Sequence, residues 1–139
     1  MLFRAYGAVI RYMAPFFAQY GLNNTRLNVL RLLYDAPEQQ LTMSQVMEGL
    51  NVTSTNVTRL VGGLVRSGLA RRVASPLDRR VMYAQLTPLG AARYEQVLPL
   101  TLQRLERLWQ HLSATESLQL VRALSKLAHA ASTPQEPPG

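Results

Sequence analysis

The stretch from residue 42 to residue 86 constrains this chain more than any other. Thr42-Met43-Ser44-Gln45 has the form of a capping box, with a hydroxyl at the start and an amide three residues on, and it opens a short helix carrying Val46, Met47 and Leu50. Thr53 can cap a further helix that runs to about Ser67, where Gly68 closes it. Two strand-like runs, 69–74 and 81–86, then flank Ser75-Pro76-Leu77-Asp78-Arg79-Arg80. Proline and aspartate are turn formers, so the two runs read as a β-hairpin.

A helix pair followed by a basic hairpin is the winged helix-turn-helix arrangement. The surrounding chain supplies helices on both sides. Asn23 can cap a helix with Leu27, Leu30, Leu33 and Tyr34 on one face, stopped by Asp35-Ala36-Pro37. Thr87-Pro88 places an N-cap before a proline at the first helical position, and a long helix with Pro99 inside it follows. Ser113-Ala114-Thr115-Glu116 is a second capping box, opening a last helix with Leu120, Val121, Leu124, Leu127 and Ala128. The fold expected is mainly α, with a small β-hairpin wing and with N- and C-terminal helices forming a dimerisation region. Its division is 1–20 and 88–131 for dimerisation, 21–87 for the winged lobe, and 132–139 for a Pro-rich disordered tail.

Charge is concentrated in the winged lobe. Of the net +7, residues 51–90 carry +5: Arg59, Arg66, Arg71, Arg72, Arg79 and Arg80 against Asp78. A basic cluster of this kind is the electrostatic footprint of a polyanion. An anionic membrane is the poorer fit, because the stretch lacks an amphipathic basic helix with bulky aromatics. The N-terminal apolar residues Leu2, Phe3, Tyr6, Val9, Ile10, Met13, Phe16, Phe17 and Tyr20 have helical spacing and are interrupted by Arg4 and Arg11. They read as an amphipathic helix, not as a targeting signal or a span of ~18 apolar residues. With no cysteine, thiol redox sensing and thiolate metal sites are excluded, and a cytoplasmic location is expected.

On a wheel of about 100° per residue, helix 53–67 turns Val57, Leu60, Val61 and Leu64 to the core. Thr55, Arg59, Gly62 and Arg66 lie opposite, flanked by Asn56, Thr58 and Gly63. Arginine can bind guanine with two donors, asparagine can bind adenine, and hydroxyls suit either base edges or phosphates. Thr55, Asn56 and Arg59 are the candidates for base contacts, with Ser54 and Thr58 for phosphates. Arg66, Arg72, Arg79 and Arg80 complete the expected DNA-binding set. Arg71 and Arg72 alternate faces in a strand, so at most one of them faces DNA. Gly62 and Gly63 should each cost roughly 1 kcal/mol against alanine within a helix. Two readings stand: close approach of the backbone to DNA, or a helix that frays or bends there.

The chain resembles the MarR family of regulators in Leu41-Thr42, Thr58-Arg59-Leu60-Val61, Ser67-Gly68-Leu69, Ser75-Pro76-Leu77-Asp78-Arg79-Arg80 and Leu86-Thr87-Pro88-Leu89-Gly90, in order over roughly residues 20–95. The resemblance implies a symmetric homodimer on a pseudo-palindromic stretch of double-stranded DNA, acting as a repressor that a small aromatic or phenolic effector releases. It implies a minor-groove arginine on the wing, either Arg79 or Arg80; one reading of the residues themselves pairs Asp78 with Arg80 to stiffen the loop and leaves Arg79 free. It suggests an effector pocket between the dimer helices and the winged lobe. Arg11, Phe16, Phe17 and Tyr20 are candidate liners, and core packing explains the aromatics equally well. The family often has charged residues where Gly62 and Gly63 stand.

No nucleophile elbow, phosphate-binding glycine loop or dinucleotide fingerprint occurs. His111 and His129 lack a ligand partner at metal spacing. Neither an enzyme, a metal nor a cofactor is expected. The competing reading is a winged helix used for protein–protein contact in a larger assembly. That use calls for a neutral or acidic wing and an apolar helix face, the opposite of what stands here. An RNA-binding winged helix ranks lower, since only Tyr83 interleaves the basic patch.

Overall fold

The computed structural model describes residues 1–50 and 53–133. Its elements are α1 (Leu2–Ala18), α2 (Asn24–Asp35), a 3-10 turn (Pro37–Gln39), β1 (Gln40–Thr42), α3 (Met43–Leu50), α4 (Ser54–Arg66), β2 (Ala70–Ala74), β3 (Met82–Leu86), α5 (Pro88–Trp109) and α6 (Ala114–Ser132). The chain divides into two compact units, Met1–Leu100 and Thr101–Gly139. Among the described residues no helix is long and apolar enough to cross a membrane.

Local chemistry sets the helix ends in the first unit. The Asn23 side chain accepts from the Arg26 N–H at 2.8 Å and starts α2. Thr42 and Gln45 exchange hydrogen bonds of 3.1 and 2.9 Å, so the capping box closes in both directions. Two helices end on left-handed glycines, Gly21 at φ 68° and Gly68 at φ 74°. In each case the next residue donates back five positions, Leu22 to the Phe17 carbonyl at 3.0 Å and Leu69 to the Leu64 carbonyl at 2.9 Å. This closure satisfies orphan carbonyls and turns the chain sharply, and only glycine adopts that φ without a steric penalty.

The sheet has three strands, not the two of the expected hairpin. β1 adds to β3, giving the antiparallel order β1-β3-β2 with Leu41 opposite Ala84 and Arg72 opposite Ala84 on the other side. β1 is three residues long and its last residue also opens α3, so the local pattern reads as a cap alone. The core lies beneath this sheet. Leu30 and Leu33 of α2, Val46 of α3, Val61 and Leu64 of α4, and Ala84 of β3 are fully buried.

Thr87 and Gly90 join the sheet to α5. The Thr87 hydroxyl donates to the Gly68 carbonyl at 2.6 Å and accepts from the Gly90 N–H at 3.0 Å. A β-carbon on Gly90 would lie 2.0 Å from the Leu69 carbonyl oxygen, so only glycine lets α5 start this close to the end of the α4 turn. The Leu86-Thr87-Pro88-Leu89-Gly90 motif therefore has a steric and a capping cause. In α1 only Met13, Phe16 and Phe17 are buried.

In the second unit, Ser113 and Glu116 form the expected capping box of α6. No residue of α6 is buried. The helix includes Ser132, which the sequence assigned to the tail, and Thr133 follows as its C-cap. Residues 134–139 lie outside the described residues. The compact units divide the chain at a different point from the functional division read in the sequence, which concerns the assembly of two chains.

Candidate nucleic-acid interface

The first turns of α4 hold most of the residues expected to read DNA. Thr53 caps the helix, accepting from the Asn56 N–H at 3.5 Å. Val57, Val61 and Leu64 are buried, as the wheel predicts, while Leu60, the fourth residue it turns to the core, is half-buried. Ser54, Thr55, Thr58, Arg59 and Arg66 are exposed and Asn56 is half-buried. Arg59 donates from Nη2 to Asn56 Oδ1 at 3.2 Å, so the two form one polar unit on the helix surface. Arginine has five N–H donors, so most of the fork stays open to a base edge. The Thr58 hydroxyl donates to the Ser54 carbonyl at 3.1 Å. To hold a phosphate oxygen, which only accepts, that hydroxyl must turn from its own helix.

The glycines are not exposed as their place on the wheel suggests. Gly62 and Gly63 are buried, not on or beside an open face. Arginine side chains cover them: Arg66 and Arg72 approach Gly62, and Arg26 of α2 approaches Gly63. Fraying does not account for the pair, since α4 continues through both to Arg66. Arg26 is the basic residue that sequence reasoning missed. Its signal was indirect, a glycine pair in a helix that otherwise favours side chains.

The wing is fixed by Asp78. Its Oδ1 accepts from the Arg80 backbone N–H at 3.0 Å and from Arg80 Nε at 3.3 Å. The Ser75 N–H donates to the Val81 carbonyl at 2.9 Å, closing the loop at its base. The exposed ion pair itself contributes under about 1 kcal/mol; the backbone bond does more to shape the turn. Among the described residues Arg79 has no ion-pair partner, and its side chain is exposed. This is the arrangement expected from the Asp-Arg-Arg sequence.

Arg71 and Arg72 have separate fates. Arg71 Nε donates to Gln85 Oε1 at 2.6 Å, Gln85 donates to Gln40 at 3.2 Å, and Gln40 donates to Glu38 at 3.2 Å. This relay crosses all three strands and links a cation to a carboxylate beside two left-handed residues, Glu38 and Gln39. Arg71 is thereby committed to the sheet. Arg72 instead leans over α4 at Gly62.

The four candidate effector-pocket residues divide between the interior of the first unit and the surface of α1. Phe16 and Phe17 are buried with ring centroids 5.5 Å apart, and Tyr20 meets Phe16 edge-on at 5.4 Å. Tyr20 itself is half-buried. Arg11 lines a groove on α1 with Met1, Phe3, Arg4, Ala5 and Ala8. His111 and His129 are exposed, and the described residues contain no cluster of three potential metal ligands.

Comparison with known proteins bears on this arrangement. Residues 20–81 match the sequence profile of the MarR family. The chain is 32% identical over 115 residues to the HTH-type transcriptional repressor YetL of Bacillus subtilis, covering 83% of this chain and 69% of that one. Among solved structures it is similar to Sco3205 of Streptomyces coelicolor, a MarR family transcriptional regulator in complex with DNA. The TM-score is 0.86 at 18% identity, over 95% of this chain and 86% of that one. It is also similar to BpsR of Bordetella bronchiseptica, whose DNA binding is regulated by 6-hydroxynicotinic acid. Here the TM-score is 0.82 at 24% identity, over 91% of this chain and 89% of that one. These two structural likenesses establish the fold alone.

Proposed function

The chain belongs to the MarR family, and on that premise we propose that it is a sequence-specific DNA-binding transcription repressor, acting in the cytoplasm as a homodimer on a pseudo-palindromic operator. The observation that carries this reading is an exposed arginine in each of two places: Arg59, joined to Asn56 on the first turns of α4, and Arg79, at a wing tip held by Asp78.

In this reading α4 enters the major groove. Thr55, Asn56 and Arg59 meet base edges, Ser54 and Thr58 meet phosphates, and Arg66 and Arg72 add positive charge behind them. Arg79 reaches the minor groove, where a narrow groove concentrates negative potential, while Arg80 is engaged by Asp78. Helices from 1–20 and 88–131 of two chains form the dimerisation region. That assembly spaces two α4 helices about one DNA turn apart, ~34–36 Å. The exposed apolar residues Leu2, Phe3, Leu118, Val121 and Leu127 support it, because a second copy would cover them. A small aromatic or phenolic effector releases the repressor; the regulation of BpsR by 6-hydroxynicotinic acid supports a ligand of that class.

The test is fluorescence anisotropy on the duplex upstream of the protein's own gene, with excess unrelated DNA, across a salt series. The expected result is saturable binding that survives competitor at two chains per site, weakened about five- to tenfold by Arg79→Ala. Binding that vanishes with competitor and only follows salt would reduce the basic surface to nonspecific attraction.

A further inference from the structure

Gly62 and Gly63 interrupt α4 with two residues that have no side chain, and three arginines use the space. A β-carbon on Gly63 would stand 2.8 Å from Nη2 of Arg26 and 3.4 Å from its Cζ. One on Gly62 would stand 3.4 Å from Nη2 of Arg72 and 3.5 Å from Nη1 of Arg66. The guanidiniums come from α2, β2 and α4, and they cover the bare backbone closely enough to bury both glycines. Among the described residues no carboxylate pairs with any of the three, the one ion pair being Arg80 with Asp78. Arg26 donates from Nη1 to the Gly21 carbonyl at 3.3 Å, which engages one of its five donors.

Cations held against one short segment without a counter-charge repel one another, and a bound anion removes that repulsion. The arginine fork matches the oxygens of a phosphate group, two at a time. We propose that Arg26, Arg66 and Arg72, seated on Gly62–Gly63, form a phosphate-binding site that grips the DNA backbone. Arg26 is then a DNA contact supplied by α2, outside the helix-turn-helix and wing. The site rests on the DNA-binding reading and adds affinity without sequence preference, because phosphates carry no base information. The glycines are its floor: a methyl group at residue 63 displaces the mobile end of Arg26.

The experiment measures duplex binding against salt for the wild type, Arg26→Gln, Gly63→Ala and the double variant. Arg26→Gln should make the slope of log affinity against log salt shallower by about 0.9, the signature of one lost phosphate contact in B-DNA. Affinity should fall about three- to tenfold equally for preferred and unrelated duplexes. Gly63→Ala should melt at the same or higher temperature, since alanine favours helix, yet lose affinity as Arg26→Gln does. The double variant should lose no more than Arg26→Gln alone.

An unchanged slope in Arg26→Gln, or a loss confined to the preferred duplex, overturns the site. Inorganic phosphate at fixed ionic strength separates a free-anion pocket from a backbone grip. If it raises the melting temperature of the wild type but not of Arg26→Gln while the DNA slopes agree, the backbone assignment is wrong. A wild-type protein that binds no duplex overturns the DNA-binding reading and this site with it. Wild-type binding that Arg26→Gln and Gly63→Ala leave intact overturns this site alone.

Discussion

The winged region and α6 carry the same kind of sequence pattern and meet different ends. In α2, α3 and α4 the apolar stripes close on one another and on the sheet, and Leu30, Leu33, Val46, Val61 and Leu64 are fully buried within one chain. In α6 the stripe of Leu120, Val121, Leu124 and Leu127 has correct helical spacing, a complete capping box and no buried residue. Periodicity states that a helix has a face to cover. It does not state whether the cover lies in the same chain. For α4 the cover is a few elements away; for α6 the chain by itself leaves it exposed, which is the condition that the proposed association of two copies would relieve.

The largest expected effect tests the closed side of this contrast. Leu64→Ala removes a fully buried side chain from the last turn of α4 and should cost about 2–5 kcal/mol of unfolding free energy, measured by urea denaturation with the midpoint falling and the slope held. A loss below about 1 kcal/mol would mean that the region is loosely packed, and the contrast with α6 would collapse.

The open side is tested by Leu124→Glu combined with Leu127→Glu. Charges on an exposed face leave a single chain folded but block its burial against a second one. Far-UV circular dichroism should be retained, light scattering should report half the mass, and operator affinity should fall by more than about tenfold, because two half-sites are no longer engaged together. If the variant unfolds instead, the stripe is interior to one chain and the dimer assignment of α6 fails.

The same contrast explains what could be read in advance. Caps are local: Asn23, Thr53, and the Thr42–Gln45 and Ser113–Glu116 boxes need only partners three residues away, and all four stand in the structure. The Asp78–Arg80 turn is equally local. β1 is not, since Leu41 takes its strand identity from Ala84, in a strand on the far side of the helix-turn-helix. The glycine pair is not either. A helical wheel places Gly62 and Gly63 by angle alone, whereas their burial comes from Arg26 and Arg72, which reach them from other elements. The aromatics Phe16 and Phe17 were legible as apolar but not as core or pocket, because that choice depends on what packs against α1.

The smallest expected effect lies at the rim of the closed region. The Tyr34 hydroxyl donates to Glu95 Oε1 at 2.8 Å, tying α2 to the first half of α5, and its ring lies 4.8 Å from that of Tyr94. That hydrogen bond, followed by the charge of Glu95, raises the ionisation of Tyr34 above the ordinary tyrosine value of 10.0. The folded state therefore holds this proton more tightly than the unfolded chain does. The contribution is complete below pH 10.0 and is lost as pH rises through the higher folded value. In an ultraviolet titration of tyrosinate, Glu95→Gln should move one late-ionising tyrosine toward the rest and leave operator binding at neutral pH unchanged. An unaltered titration would mean that the rim bond is not formed in solution. The closed region would then be held at this edge by the packing of Tyr34 on Tyr94, and its boundary would depend on burial alone.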